Sequence, residues 1–267
     1  MSLQTKVIAH RGGRISVPEN TLAAFSNALA IGVDGIELDV RRCATGELVV
    51  AHYSDLSEMT TSQGQIQDLS YEQIRQLDAS AGLAEFAGER IPLLSEVLAL
   101  INGKVLLNIE VKTLPDCYPG IEDDLAEILA DYPAEMLVLS SFDQRLLGRL
   151  KQKLPNVTQA ILMRKFVLNL GLNMRPITLP FKAKPLAWPD SLVLDKIGYC
   201  VSRAAVAWHP SVLQVNANLV AAAHKAGLKV NVWTANSEEQ WASLVAMKVD
   251  GIITDNPLAL QQFLKHQ

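Results

Sequence analysis

Short apolar runs alternate along the whole chain with longer stretches in which apolar residues recur every three or four positions. The runs at 7–10, 35–40, 105–111, 136–140, 157–162, 229–233 and 251–254, with a weaker one at 198–202, predict strands. Helical spacing predicts helices over 21–31, 121–132, 144–153, 215–226 and 237–247, the first placing Leu22, Phe25 and Leu29 on one face. Strand and helix in strict succession imply parallel strands wrapped by helices. A closed (β/α)8 barrel, the TIM barrel of the α/β class, fits this number of units and 267 residues best. The competing architecture is an open doubly wound sheet. Its nucleotide-binding form is disfavoured because His10-Arg11-Gly12-Gly13, after the first strand, lacks the third glycine at the needed offset.

Two stretches interrupt the alternation. Residues 53–90, after the second strand, are polar and rich in Ser, Gln, Asp and Gly, and predict an insertion with its own helix near 71–77 that roofs one end of the barrel. Residues 163–195 mix Arg164, Lys165, Arg175, Lys182 and Lys184 with apolar residues and four prolines, and predict no regular element. No repeat, low-complexity tract or linker divides residues 1–267, so a single barrel domain is expected.

Composition narrows the function classes. With 49% apolar residues the chain can bury one large core. A net charge of -4, spread along the sequence, offers no basic stripe for a nucleic-acid backbone, so such a partner is not expected. Cys43, Cys117 and Cys200 are odd in number and widely spaced, which suits reduced structural thiols and a cytoplasmic setting. No basic segment followed by an apolar run opens the sequence and no stretch approaches eighteen consecutive apolar residues, so neither a signal peptide nor a membrane span is expected.

Charged residues in the predicted strands carry the chemistry. An ionised carboxylate on a buried strand costs roughly several kcal/mol unless it is paired or bound to metal. Glu37 and Asp39 lie two apart and so share one side of their strand, as do Glu110 and Lys112. His10 closes the first strand and His52 closes the run 48–52. Sites of this fold are built at the C-terminal ends of strands, so four strand ends would bring three carboxylates, two imidazoles and a lysine to one mouth. An all-oxygen set suits Mg²⁺ or Ca²⁺. The alternative is a salt-bridge layer pairing Glu37, Asp39 and Glu110 with Arg11, Arg41 and Lys112.

His10 and His52 can act as a general acid and base pair, or can be hydrogen-bonded core residues. Arg11-Gly12-Gly13 would offer a guanidinium and backbone N–H groups to phosphate oxygens. Ser16-Val17-Pro18-Glu19 also reads as a capping box opening the first helix. His209 and His224 are assigned to turn and packing, and His266 to the tail. Trp233 can stack on a substrate or fill the barrel.

In this order the residues resemble the glycerophosphodiester phosphodiesterase family. The likeness runs from His10-Arg11-Gly12-Gly13 and Pro18-Glu19-Asn20-Thr21 through Glu37-Leu38-Asp39-Val40, His52 and Ile91-Pro92-Leu93-Leu94. It continues in Glu110-Val111-Lys112, Ser141-Phe142-Asp143, Trp233-Thr234-Ala235-Asn236 and 251–257. The resemblance implies a (β/α) barrel with a small insertion after the second strand. It also implies one Mg²⁺ or Ca²⁺ on Glu37, Asp39 and Glu110, phosphate contacts from Arg11 and Lys112, and proton exchange by His10 and His52. The implied reaction is attack of a glycerol hydroxyl on phosphorus, loss of the alcohol, and hydrolysis of the cyclic phosphate to glycerol 3-phosphate.

Two departures from the family pattern stand out. The second histidine is usually followed by aspartate, whereas here the run is His52-Tyr53-Ser54-Asp55. Residues 163–195 match poorly and are a candidate lid selecting the alcohol. Beside the glycerophosphodiesterase reading stand a lysophospholipase D-like or other phosphodiesterase and a catalytically weak phosphodiester-binding protein.

Overall fold

The computed structural model describes residues 4–113, 118–163 and 195–267. Eight parallel strands form the barrel: β1 (Lys6–His10), β2 (Gly35–Arg42), β4 (Leu106–Val111), β5 (Leu137–Ser141), β6 (Thr158–Met163), β7 (Ala207–Pro210), β8 (Lys229–Val232) and β9 (Gly251–Thr254). Each pairs with the next in this order, and β1 pairs with both β9 and β2, which closes the cylinder.

The alternation along β2 and β4 builds two environments from one backbone. Ile36, Leu38, Val40, Leu107, Ile109 and Val111 join the large apolar layer under the helices. Glu37, Asp39, Asn108 and Glu110 therefore face the barrel axis. Leu106, two residues before Asn108, meets Val138, Ala160 and Ala207 in a small separate cluster that fills the interior below the polar residues.

Helices α1 (Leu22–Ile31), α3 (Leu94–Ile101), α4 (Ile121–Ile128), α5 (Gln144–Lys153), α6 (Lys196–Ser202), α7 (Ala217–Lys225), α8 (Glu238–Ala246) and α9 (Pro257–Lys265) cover the outside. Side-chain caps start several of them: Thr21 accepts from the Ala24 N–H on α1, and Asn256 from the Ala259 N–H on α9. Thr21, rather than Ser16, is thus the cap of α1, and Glu19 is engaged elsewhere.

β3 (Leu48–Val50) corrects one expectation. It is not a barrel strand but folds back antiparallel on the end of β2, pairing Val40 with Val50 and Arg42 with Leu48. His52 therefore arrives at the mouth from a strand returning from the rim. After it, three short 3₁₀ turns and α2 (Tyr71–Ile74) form the insertion, with Leu56, Ile66, Ile74 and Ile91 packed against Cys43, Val49 and Ala51.

Residues 198–202, expected as a strand, lie in α6 instead. Asp195 caps that helix at the Gly198 N–H, and Ile197 and Cys200, three apart, bury the same face. The sixth barrel strand is Ala207–Pro210, so His209 is a fully buried strand residue, not a turn residue. Cys43 and Cys200 are buried in different clusters. Cys117 and nearly all of the candidate lid at 163–195 lie outside the described residues. Among the described residues no helix is long and apolar enough to cross a membrane.

Candidate active site

The turn after β1 sets the first half of the site. Arg11 (φ 53°) and Gly12 (φ 84°) are both left-handed, and the Gly13 N–H donates to the His10 carbonyl at 2.8 Å. A Cβ on Gly12 would lie 2.8 Å from Ala24 Cβ and 2.9 Å from the Ala24 carbonyl carbon, so only glycine lets the turn settle on α1. The turn aims the Arg11 N–H at Glu37 Oε2 (3.0 Å), its Nη1 at Glu19 (2.7 Å) and its Nε toward Asp39 (3.3 Å). Glu19 also pairs with Arg14 at 3.1 Å.

β2 and β4 supply the second half. Register places Asp39 beside Glu110, and one oxygen each of Glu37, Asp39 and Glu110 lies within 4.8 Å of the others. Asp39, only 1% exposed, accepts from Asn20 Nδ2 at 2.9 Å and pairs with Lys112 Nζ at 2.8 Å. Lys112 also bonds Glu110. The salt-bridge alternative is therefore present in part: Arg11 and Lys112 do pair with the acids, while Arg41 donates to the His52 carbonyl at 2.9 Å.

These two cations do not balance the three acids evenly. Burial tends to raise the Asp39 carboxyl, but Lys112 and Arg11 outweigh it and hold the group well below the usual carboxylate range. Glu37 is pushed well above that range by burial and then by the charges of Asp39 and Glu110. Glu110 is also raised, chiefly by burial, with Lys112 opposing. Oxygen donors this close, two of them short of positive charge, fit a hard divalent cation, and the trio could hold one.

The histidines differ. His10 Nδ1 lies 2.6 Å from Asp255 Oδ1, and its Nε2 faces Glu37 Oε2 at 4.0 Å. His52 stands edge-on to the Tyr53 ring at 4.5 Å, and its buried Nδ1 has no hydrogen-bond partner among the described residues. Burial, reinforced by Lys112, Arg11 and His10 and opposed by Asp39, lowers His52 to about 3 and keeps it neutral. Tyr53 also lies beneath the Arg11 guanidinium, 5.9 Å from ring centre to Cζ.

Glu37, Glu110, Lys112, Arg11 and both histidines line one side of a cavity of about 370 Å³ at the mouth. Phe142, Leu162, Leu213 and Trp233 line the other. Trp233 is held by its Nε1 donating to the His209 carbonyl at 2.8 Å and meets Phe142 edge to face at 5.8 Å. It thus walls the mouth and does not fill the barrel.

All eight residues singled out in the sequence, His10, His52, Arg11, Lys112, Trp233, Glu37, Asp39 and Glu110, gather at this mouth. Sequence reasoning passed over Asp255 and Asn20 as side chains with a place in the site. Asp255 directly follows β9, so the strand-end rule that selected His10 could have found it. Asn20 precedes the first helix and gave no such signal.

Fold and mouth together define a (β/α)-barrel enzyme with an acidic trio set among cations and imidazoles. Residues 10–259 match the model of the Glycerophosphoryl diester phosphodiesterase family, and the chain belongs to that family. It is 37% identical over 261 residues to a glycerophosphodiester phosphodiesterase of Caldanaerobacter subterraneus subsp. tengcongensis, covering 97% of each chain. It is 34% identical over 259 residues to one from Bacillus altitudinis, covering 95% of each. Among solved structures it resembles a phosphodiesterase of Oleispira antarctica in complex with the product sn-glycerol-3-phosphate, with TM-score 0.79, 26% identity, and 97% and 96% of the two chains covered.

Proposed function

We propose that the chain hydrolyses glycerophosphodiesters to glycerol 3-phosphate and an alcohol, using Mg²⁺ or Ca²⁺ bound by Glu37, Asp39 and Glu110. The observation that carries this reading is one 370 Å³ cavity lined by two buried carboxylates, two fixed cations and two imidazoles, with the third carboxylate, Asp39, within 4.8 Å of the other two. A divalent ion bound there supplies electrostatic stabilisation of the phosphoryl oxygens. Arg11 and Lys112 hold those oxygens by charge-assisted hydrogen bonds. The apolar wall of Phe142 and Trp233 packs against the carbon part of the substrate and narrows the approach of water.

A glycerol hydroxyl attacks phosphorus and gives its proton to one imidazole, while the alcohol oxygen leaves with a proton from the other. Water then opens the cyclic phosphate with the two rings in exchanged roles. Both His10 and His52 line the cavity, which supports this pairing.

The test is to incubate pure protein with glycerophosphocholine or glycerophosphoethanolamine, with Mg²⁺, with Ca²⁺, and with chelator. Glycerol 3-phosphate should appear with metal and fall to background with chelator. No glycerol 3-phosphate from any such diester would refute the reading.

A further inference from the structure

β9 lies beside β1 in parallel register, with Ala9 opposite Thr254. One residue further along each chain, His10 and Asp255 emerge side by side at the mouth, although 245 positions separate them. Asp255 Oδ1 lies 2.6 Å from His10 Nδ1, and Asp255 Oδ2 accepts from Asn236 Nδ2 at 2.7 Å. Asn236 is itself fixed, because its Oδ1 accepts from Thr254 Oγ1 at 3.1 Å and from the Asp255 N–H at 2.9 Å. Both carboxylate oxygens are thus committed, one to the ring and one to the amide that braces it.

The geometry points to Asp255 as the residue that positions His10 for proton transfer. An ionised carboxylate can only accept, so His10 must donate from Nδ1, and the ring presents Nε2 to the cavity. The proton exchanged with substrate therefore moves on and off Nε2, while the Nδ1 proton stays with His10. Burial tends to raise the Asp255 carboxyl, but its bond to His10 and the charge of that ring outweigh burial and hold it low, which keeps it an acceptor. His52 has no equivalent, since its Nδ1 is unpartnered among the described residues and Tyr53 stands beside it. Orientation by a carboxylate is thus given to one imidazole of the two.

This inference rests on the proposed reaction, and its test separates the two. Asp255→Asn should lower kcat for glycerophosphocholine at least about tenfold, the range for lost orienting partners being roughly 10 to 10⁴. KM should stay within about threefold, because Asp255 orients the ring without itself holding substrate. A loss below tenfold, or one carried by KM, would overturn the assignment. A second measurement needs neither turnover nor that variant to fold. The ¹⁵N spectrum of the wild-type protein at alkaline pH, with His10 identified by the signals lost in His10→Gln, should show the Nδ1–H tautomer. Nε2–H at His10 would overturn the assignment too. A protein with the Nδ1–H tautomer but no diesterase activity would defeat the proposed function and leave this pairing intact.

Discussion

The turn that carries His10 and Arg11 should be far less tolerant of an added methyl group than other left-handed glycines. In Gly12→Ala two costs add. The first is backbone: an alanine at φ 84° pays about 1–2 kcal/mol for the left-handed conformation. The second is packing, because the new Cβ would meet Ala24 Cβ at 2.8 Å, the Ala24 carbonyl carbon at 2.9 Å and Phe25 Cδ1 at 3.0 Å. Two of these atoms are in or next to helix backbone, so relief requires moving α1 or the turn, at about 1–3 kcal/mol. The sum, about 2–5 kcal/mol, corresponds to a midpoint drop of about 5–15 °C for a chain of this size. Gly227→Ala is the control: its φ is 79° and nothing lies within 4 Å of the added carbon, so it carries the backbone cost alone. Thermal melts of both variants, with kcat measured on the folded protein, test the argument. Gly12→Ala should also lose activity, because relaxing the turn pulls the Arg11 N–H away from Glu37. A Gly12→Ala protein no less stable than Gly227→Ala would refute the packing argument.

Lys112→Met leaves Asp39 and Glu110 without their shared cation and should destabilise the protein by about 3–5 kcal/mol in urea denaturation, less when Mg²⁺ or Ca²⁺ is present. An equal loss with and without divalent ion would show that the trio does not take one. Glu110→Gln removes one charged ligand and should weaken calorimetric Mg²⁺ or Ca²⁺ binding about tenfold or more, with kcat falling in parallel. His209 is fully buried and lowered to about 3 by burial, so its neutral ring contributes stability that is complete above about pH 6.5 and is lost as pH falls toward 3. Between pH 7.5 and 4.5 this amounts to about 2–3 kcal/mol, and His209→Gln should flatten the urea-midpoint profile by that share. Identical profiles for the two proteins would exclude His209 as a source of acid lability.

Much of the site was legible because strand periodicity is a local property. Glu-Leu-Asp in β2 and Asn-Ile-Glu-Val in β4 put polar residues on one face and apolar residues on the other whatever the distant chain does. What stayed hidden depends on long-range pairing. Ala207–Pro210 contains Trp, His and Pro, and becomes a strand only because β6 and β8 flank it. Residues 198–202 have apolar, strand-like composition, yet the Asp195 cap and the spacing of Ile197 and Cys200 decide for helix. The reversal of β3 could not be read from 48–52, since an antiparallel strand has the same alternation as a parallel one. The pairing of His10 with Asp255 exists only after β9 closes against β1.

The charges at the mouth also give a reason for a divalent ion beyond the geometry of the ligands. Taken as ionised, Glu37, Asp39 and Glu110 outnumber Arg11 and Lys112 by one, and Glu19 does not change this because Arg14 answers it. A phosphodiester anion would then approach a surplus of negative charge within a few ångströms, in a site too buried for salt to screen. A proton on Glu37, the direction in which burial and its neighbours push it, only brings the group to neutrality. A divalent ion held by the trio would make the same set net positive with all three carboxylates ionised, and would compete with Lys112 for Glu110. Phosphate affinity should therefore rise with divalent ion in the wild-type protein. In Glu37→Gln, which holds that neutrality at every pH, metal-free binding of inorganic phosphate should weaken less as pH rises than in the wild type, where Glu37 goes on to ionise, and identical pH dependences by calorimetry would defeat this account of how the site accepts its anion.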